Sequence, residues 1–193
     1  MKNTNKMSTR TLVLGAVLTA LVIILQFVSM NLRFSTFSIT LTLVPIVIGA
    51  ATCGLGMGAW LGLVFGAVVL LTGDAAPFLA VNFAGTIATV LVKGVAAGFI
   101  TGFVYKLIEK YNRYVAVGVA AVVCPVVNTG VFLAGCKIFF MEAVASWAAA
   151  AGMGANVGAY MIVGLVGINF LIELGTNVIL SPIIVRLLKI RSK

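Results

Sequence analysis

Lys93 and Glu173 are the residues with most chemistry at stake in this chain, because each is an ionisable side chain set inside a long apolar run. A charge in hydrocarbon costs on the order of 3 kcal/mol even on a mild insertion scale, so both must face protein or water. Asn169, Glu173 and Asn177 recur at i, i+4 and i+8, which draws one polar stripe along one helix face. Asn128 follows Pro125, whose missing N–H loosens the local backbone, and is a candidate for the same interior. Two readings of Lys93 and Glu173 stand: a salt bridge that ties helices together, or direct contact with a ligand. The asparagines taken singly bridge helices; taken together they outline a polar-lined cavity.

Catalytic constellations are missing from the inventory. The chain contains no histidine, so no Ser-His or Cys-His pair exists, and Asp74 is its one aspartate. No Gly-rich phosphate loop with Lys-Ser or Lys-Thr occurs, and no cluster of metal-ligand residues, so neither an enzyme nor a metal site is expected. Cys53, Cys124 and Cys136 have no paired spacing and lie in or beside apolar stretches, where free thiols behave as small hydrophobes.

The elements that hold these residues follow from composition. Of 193 residues 62% are hydrophobic and 9% charged, and the mean hydropathy is +1.23. So few charges cannot clothe a water-soluble surface, and lipid must cover the rest. Runs of ~20 apolar residues mark membrane spans, and six are placed: 11–29, 37–53 with Pro45, 58–72, 82–105, 115–139 and 160–188. The first run follows a basic N-terminus but lacks a convincing cleavage site, and is read as a helix of the mature protein. Residues 1–193 are expected to form a single all-α six-helix domain.

The net charge of +9 would suggest nucleic acid in a soluble protein, but its distribution argues otherwise. The cations gather at Lys2, Lys6 and Arg10, at Lys106, Lys110 and Arg113, and at Arg186, Lys189, Arg191 and Lys193. Even numbers of spans separate these clusters, which places both termini and the 106–114 loop on the cytoplasmic side. Outside lie the connections 30–36, 73–81 and 141–159. The last carries Trp147 and a glycine-rich stretch, consistent with an interfacial helix, a hinge and a lid. Arg33, Lys137 and Trp147 sit at the external rim and Asn82 at the outer end of the fourth span, and all four join the candidate ligand residues. Rim anchoring is the plainer account of the first three.

Small residues shape the helix faces. Gly58, Gly62 and Gly66 form one triplet and Gly94, Gly98 and Gly102 another, each on a single face where a second backbone approaches closely. The turn 54–57 is short and glycine-rich, so the second and third spans form an antiparallel pair. Ala16 and Ala20 make a small-xxx-small strip in the first span.

In these features the chain resembles the S components of energy-coupling factor (ECF) transporters. The resemblance rests on Ala16-Val17-Leu18-Thr19-Ala20, on Leu43-Val44-Pro45-Ile46-Val47-Ile48-Gly49-Ala50, on Gly54-Leu55-Gly56-Met57-Gly58-Ala59-Trp60-Leu61-Gly62 and on Lys93-Gly94. It covers nearly the whole chain; one departure is that the turn between spans two and three lacks the proline often seen there. The resemblance implies a multi-pass protein of the bacterial cell membrane. It would bind a vitamin or related micronutrient from outside in a cavity formed by helices four to six and the external loops. It would dock through Ala16 and Ala20 on a shared transmembrane coupling subunit, with two cytoplasmic ATPases consuming the ATP and no cofactor in this chain. Lys93 and the cationic rim suit a carboxylate-bearing ligand such as pantothenate or folate. Glu173 and the asparagines suit a neutral heterocycle such as riboflavin or a deazapurine. A stand-alone transporter that couples Glu173 to protons is the alternative, although no inverted repeat with paired broken helices supports it; a scaffold without a ligand fits poorly with a polar interior.

Overall fold

The computed structural model describes residues 8–30, 40–154 and 156–191, with side chains as far as Arg186. The described residues are helical throughout, without a strand. The helices are α1 (Thr9–Met30), α2 (Leu43–Cys53), α3 (Leu55–Leu71), α4 (Ala76–Val81), α5 (Phe83–Ile108), α6 (Arg113–Phe139), α7 (Met141–Ala150), α8 (Val157–Ala159) and α9 (Gly167–Arg191), and a π-helical segment, Tyr160–Val166, joins α8 to α9.

Four helices are long and apolar enough to cross a bilayer: α1, α5, α6 and the continuous stretch Val157–Arg186. Of the six spans expected from the sequence, four are of full length and two, α2 and α3, are shorter. At 1.5 Å per residue the 11 residues of α2 reach only ~17 Å, about half of the hydrocarbon core. The start expected for this span, Phe37, lies outside the described residues, and Thr40–Thr42 leads into the helix as a turn. Pro45 stands in the first turn of α2, where its missing N–H disturbs no helical bond.

The α3 and α5 helices form the centre, and α6 packs on the other side of α5. The two glycine triplets explain the closeness of the first pair. A methyl group added at Gly62 would run into the carbonyl of Gly94, and one at Gly98 into that of Gly58, so backbone touches backbone along an antiparallel seam. Between α2 and α3 only Gly54 intervenes, with φ +93°, a left-handed conformation that suits glycine. The expected turn over 54–57 is therefore a single residue, and Leu55–Met57 already belongs to α3.

One apolar core runs through Leu18 and Val22 of α1, Ile46 of α2, Leu61 and Phe65 of α3, Ala97 of α5, Val117 and Cys124 of α6 and Ile184 of α9. A smaller cluster, built on Phe78, Cys136, Phe140, Val144 and Leu165, caps the bundle at the end opposite the α2–α3 turn. The outward surface stays apolar. Leu12, Val13, Phe27, Leu71, Ile138 and Ile179 are each more than half exposed, a surface that lipid solvates and water does not.

Candidate functional site

Four helices and two connections converge on a cavity beneath the aromatic cluster. Its lining includes Thr40, Asp74 and Phe78 from the connections, Thr86, Thr89 and Lys93 from α5, Asn128, Thr129 and Phe132 from α6, and Asn169, Phe170 and Glu173 from α9. The space, open mouth included, amounts to about 730 Å³.

On α5, Thr86 lies three and four residues before Thr89 and Val90, and Lys93 four and three residues after them, which puts all four on the face toward the cavity. Asn82 starts this helix as its cap: its Oδ1 accepts the Gly85 N–H at 2.9 Å, and its carbonyl accepts the Thr86 hydroxyl at 2.7 Å. Such a cap satisfies donors that a helix N-terminus leaves orphaned. Asn82 therefore lies outside the cavity lining, contrary to its placement among the ligand residues; it orients the helix that carries Thr86 and Lys93.

The Lys93 ammonium stands 5.5 Å from the centre of the Phe65 ring and 5.3 Å from that of Phe132, so aromatic faces on α3 and α6 hold it by cation–π attraction. Glu173, 6% exposed, accepts the Thr40 N–H on Oε1 at 3.1 Å. Both charges line one cavity, yet among the described residues no salt bridge joins them. Of the polar stripe on α9, Asn169 and Glu173 reach the cavity and Asn177 does not. Asn177 is wholly buried and turns its Nδ2 back to donate to the Glu173 carbonyl at 2.9 Å.

Two further polar atoms in the lining carry no hydrogen bond: the Thr89 hydroxyl and the Asn128 Oδ1, on residues 5% exposed. A buried polar atom without a partner costs about 1–3 kcal/mol. In a cavity between α5 and α6, such atoms are positioned to meet the polar groups of an occupant. Asn128 thus lies where the sequence expectation put it.

The external rim is less united than expected. Lys137, in the last turn of α6, is exposed and outside the lining. Trp147 on α7 stands behind the wall, packing edge-on against Phe78 at 5.2 Å. Arg33 lies outside the described residues. The short helix expected around Trp147 is present as α7.

Phe78 is the residue that sequence reasoning missed. It meets Phe132 at 5.5 Å, Phe140 at 4.9 Å and Trp147 at 5.2 Å, each time edge to face. It sits on α4, six residues within a segment read as a loop, and the signal that marks this helix is Pro77 near its N-terminus. Thr86 and Thr89 were also missed, although they lie seven and four residues before Lys93 and so share its helix face.

These features define a multi-pass membrane protein with a cavity among its helices, polar on α5 and α9 and aromatic toward one end. The chain belongs to the family of substrate-specific components of ECF transporters: the family model described as "ECF transporter, substrate-specific component" matches residues 10–185. That family comprises substrate-binding subunits of transporters and is not an enzyme family. Comparison with curated proteins and with solved structures finds no match.

Proposed function

We propose that this chain captures a vitamin or related micronutrient from outside a bacterial cell and delivers it inward together with a shared transmembrane coupling subunit and two cytoplasmic ATPases. The observation that carries the reading is the cavity itself. It combines one cation, Lys93, and two carboxylates, Asp74 and Glu173, with the unpartnered Thr89 hydroxyl and Asn128 carbonyl oxygen, all beside the rings of Phe78, Phe132 and Phe170. The rings supply a flat apolar wall for a ring system, and the polar atoms supply directional contacts that select among ring systems. Both signs of charge line the site, so it suits a ligand with both a donor-rich and an acceptor-rich edge. The basic ends of the chain face the cytoplasm in this reading, which opens the cavity outward. Ala16 and Ala20 on α1 supply the docking strip for the coupling subunit.

Mass spectrometry of small molecules released from the detergent-purified, denatured protein tests this directly. A stoichiometric organic ligand is expected from the wild-type chain and is expected to be depleted in the Phe78→Ala and Asn128→Leu variants. A ligand-free wild type that also fails to take up any compound from a vitamin mixture would refute the reading.

A further inference from the structure

A second cavity opens at the other end of the bundle, between the α2–α3 turn and the α5–α6 link. It encloses about 860 Å³, mouth included, and Thr52, Gly54, Tyr105, Lys106, Glu109 and Arg113 are among its lining residues. Three separate features make it a site for an anion.

Lys106 and Arg113 bring two cations against the single carboxylate of Glu109, and among the described residues no ion pair joins that carboxylate to either. The N-terminus of α3, a helix of 17 residues, also opens here. Its first internal bond runs from the Gly58 N–H to the Gly54 carbonyl at 3.1 Å, so the N–H groups of Leu55, Gly56 and Met57 have no acceptor within the helix. Gly54 offers no side chain to cap them, and they add the positive end of the helix dipole. Finally, Tyr105 is 3% exposed beside Arg113 and Glu109, and its buried hydroxyl has no partner at hydrogen-bond distance. The carbonyl end of α2 shares the lining: the Gly54 N–H takes the Ala50 carbonyl at 3.2 Å and leaves those of Ala51, Thr52 and Cys53, so attraction for an anion rests chiefly on Lys106, Arg113 and the Tyr105 hydroxyl.

We propose that this cavity binds a phosphoryl group. A guanidinium fork, an ammonium, a phenolic hydroxyl and free helix N–H groups form a set dominated by donors, which a tetrahedral oxyanion with several acceptor oxygens satisfies together. The surroundings favour a phospholipid headgroup as the source. Phe103 and Leu107, 50% and 51% exposed, continue from Lys106 along one outer face of α5 and give acyl chains an apolar track. Basic pockets between spans at a cytoplasmic face are known to hold such headgroups. Inorganic phosphate carries the same chemistry without the acyl chains.

The test uses the full chain, native mass spectrometry and two lipids: phosphatidylglycerol and a diglycosyl diacylglycerol that lacks phosphate. The wild type is expected to retain phosphatidylglycerol and to release the glycolipid. Lys106→Gln with Arg113→Gln should cut phosphatidylglycerol occupancy by roughly ten-fold, as loss of two charge-assisted donors implies. Tyr105→Phe, which deletes only the hydroxyl and preserves the ring packing, should weaken retention several-fold and decides the matter if the double variant folds poorly. Lys137→Gln removes one charge outside both cavities and should retain lipid as the wild type does. Displacement of the lipid by added inorganic phosphate identifies the phosphoryl group alone as sufficient, and persistence of the lipid identifies the headgroup with its chains. Equal retention in the wild type, the double variant and Tyr105→Phe overturns the proposal, as does equal loss in Lys137→Gln or retention of neither lipid nor phosphate by the wild type.

Discussion

Lys93 is held between Phe65 and Phe132, and Glu173 by the Thr40 N–H, so each charge has its own protein partner instead of the other charge. Across a low-dielectric cavity they still attract, and removing one leaves the other less compensated. Glu173→Gln preserves shape and the carbonyl that accepts from Thr40, and Lys93→Met preserves the aliphatic stem. If both side chains touch the ligand, each substitution lowers affinity by about ten-fold or more, equivalent to ~1.4 kcal/mol, with a smaller loss of folded yield. The double variant should regain part of the stability lost in the singles while binding stays weak, a coupling that a double-mutant cycle by calorimetry and thermal unfolding resolves. Unchanged affinity in both singles reassigns the two charges to structure. The sequence revealed these residues because an ionisable group in an apolar run has so few places to go. It could not separate Asn169, which lines the cavity, from Asn177, which bonds back to the Glu173 carbonyl eight residues into the same stripe. That distinction depends on which helix packs against each turn of α9. Asn82 was misplaced for a related reason: an asparagine before a helix serves as a cap before it serves a ligand.

At the scale of helices, the α3–α5 seam is the feature the sequence made plainest and the one most open to a clean test. Around Gly62 the atoms that an added methyl would strike belong to the Gly94 and Val95 backbone, which cannot rotate away. Around Gly130, on an exposed face of α6, nothing lies within 4 Å. Gly62→Ala should therefore cost ~1–3 kcal/mol, as overpacking of a tight contact does, and Gly130→Ala should be close to neutral. Thermal unfolding of the two purified variants in one detergent gives the comparison; equal melting temperatures would mean that the seam is looser than its backbone contacts indicate. The spacing of the triplets gave each face, but its partner came only from the antiparallel crossing that sets Gly58 against Gly98 and Gly62 against Gly94. The short α4 and the π-helical segment before α9 were not legible. Six residues carry too little periodicity to register, and a single π-helical stretch leaves no mark in a 3.6-residue pattern.

Across the whole molecule, the arrangement of α1 separates what holds the bundle together from what remains for a partner. Gly15, Leu18, Val22, Gln26 and Ser29 are its buried residues, and their spacings of three and four trace one face toward the core. Ala16 and Ala20 fall well away from that face and are exposed, in a neighbourhood of outward Val13, Val17 and Phe27. Leucine at both positions therefore adds bulk outside the bundle, where it displaces lipid and leaves the core untouched. The cavity draws its walls from α3, α5, α6, α9 and the connections, with no lining residue from α1. The Ala16→Leu, Ala20→Leu chain is thus expected to fold and to bind its ligand as the wild type does. If this strip is the docking surface for a coupling subunit, the added methylenes hold two helices apart at a cost of ~1–3 kcal/mol. Co-purification with that subunit and ATP-driven uptake should then fall together while ligand affinity in the isolated chain stays constant. Pull-down, vesicle uptake and calorimetry on the same variant measure the three quantities. Normal assembly and uptake would show that the partner approaches another face, and a loss of ligand affinity in the isolated chain would show that α1 bears on the cavity.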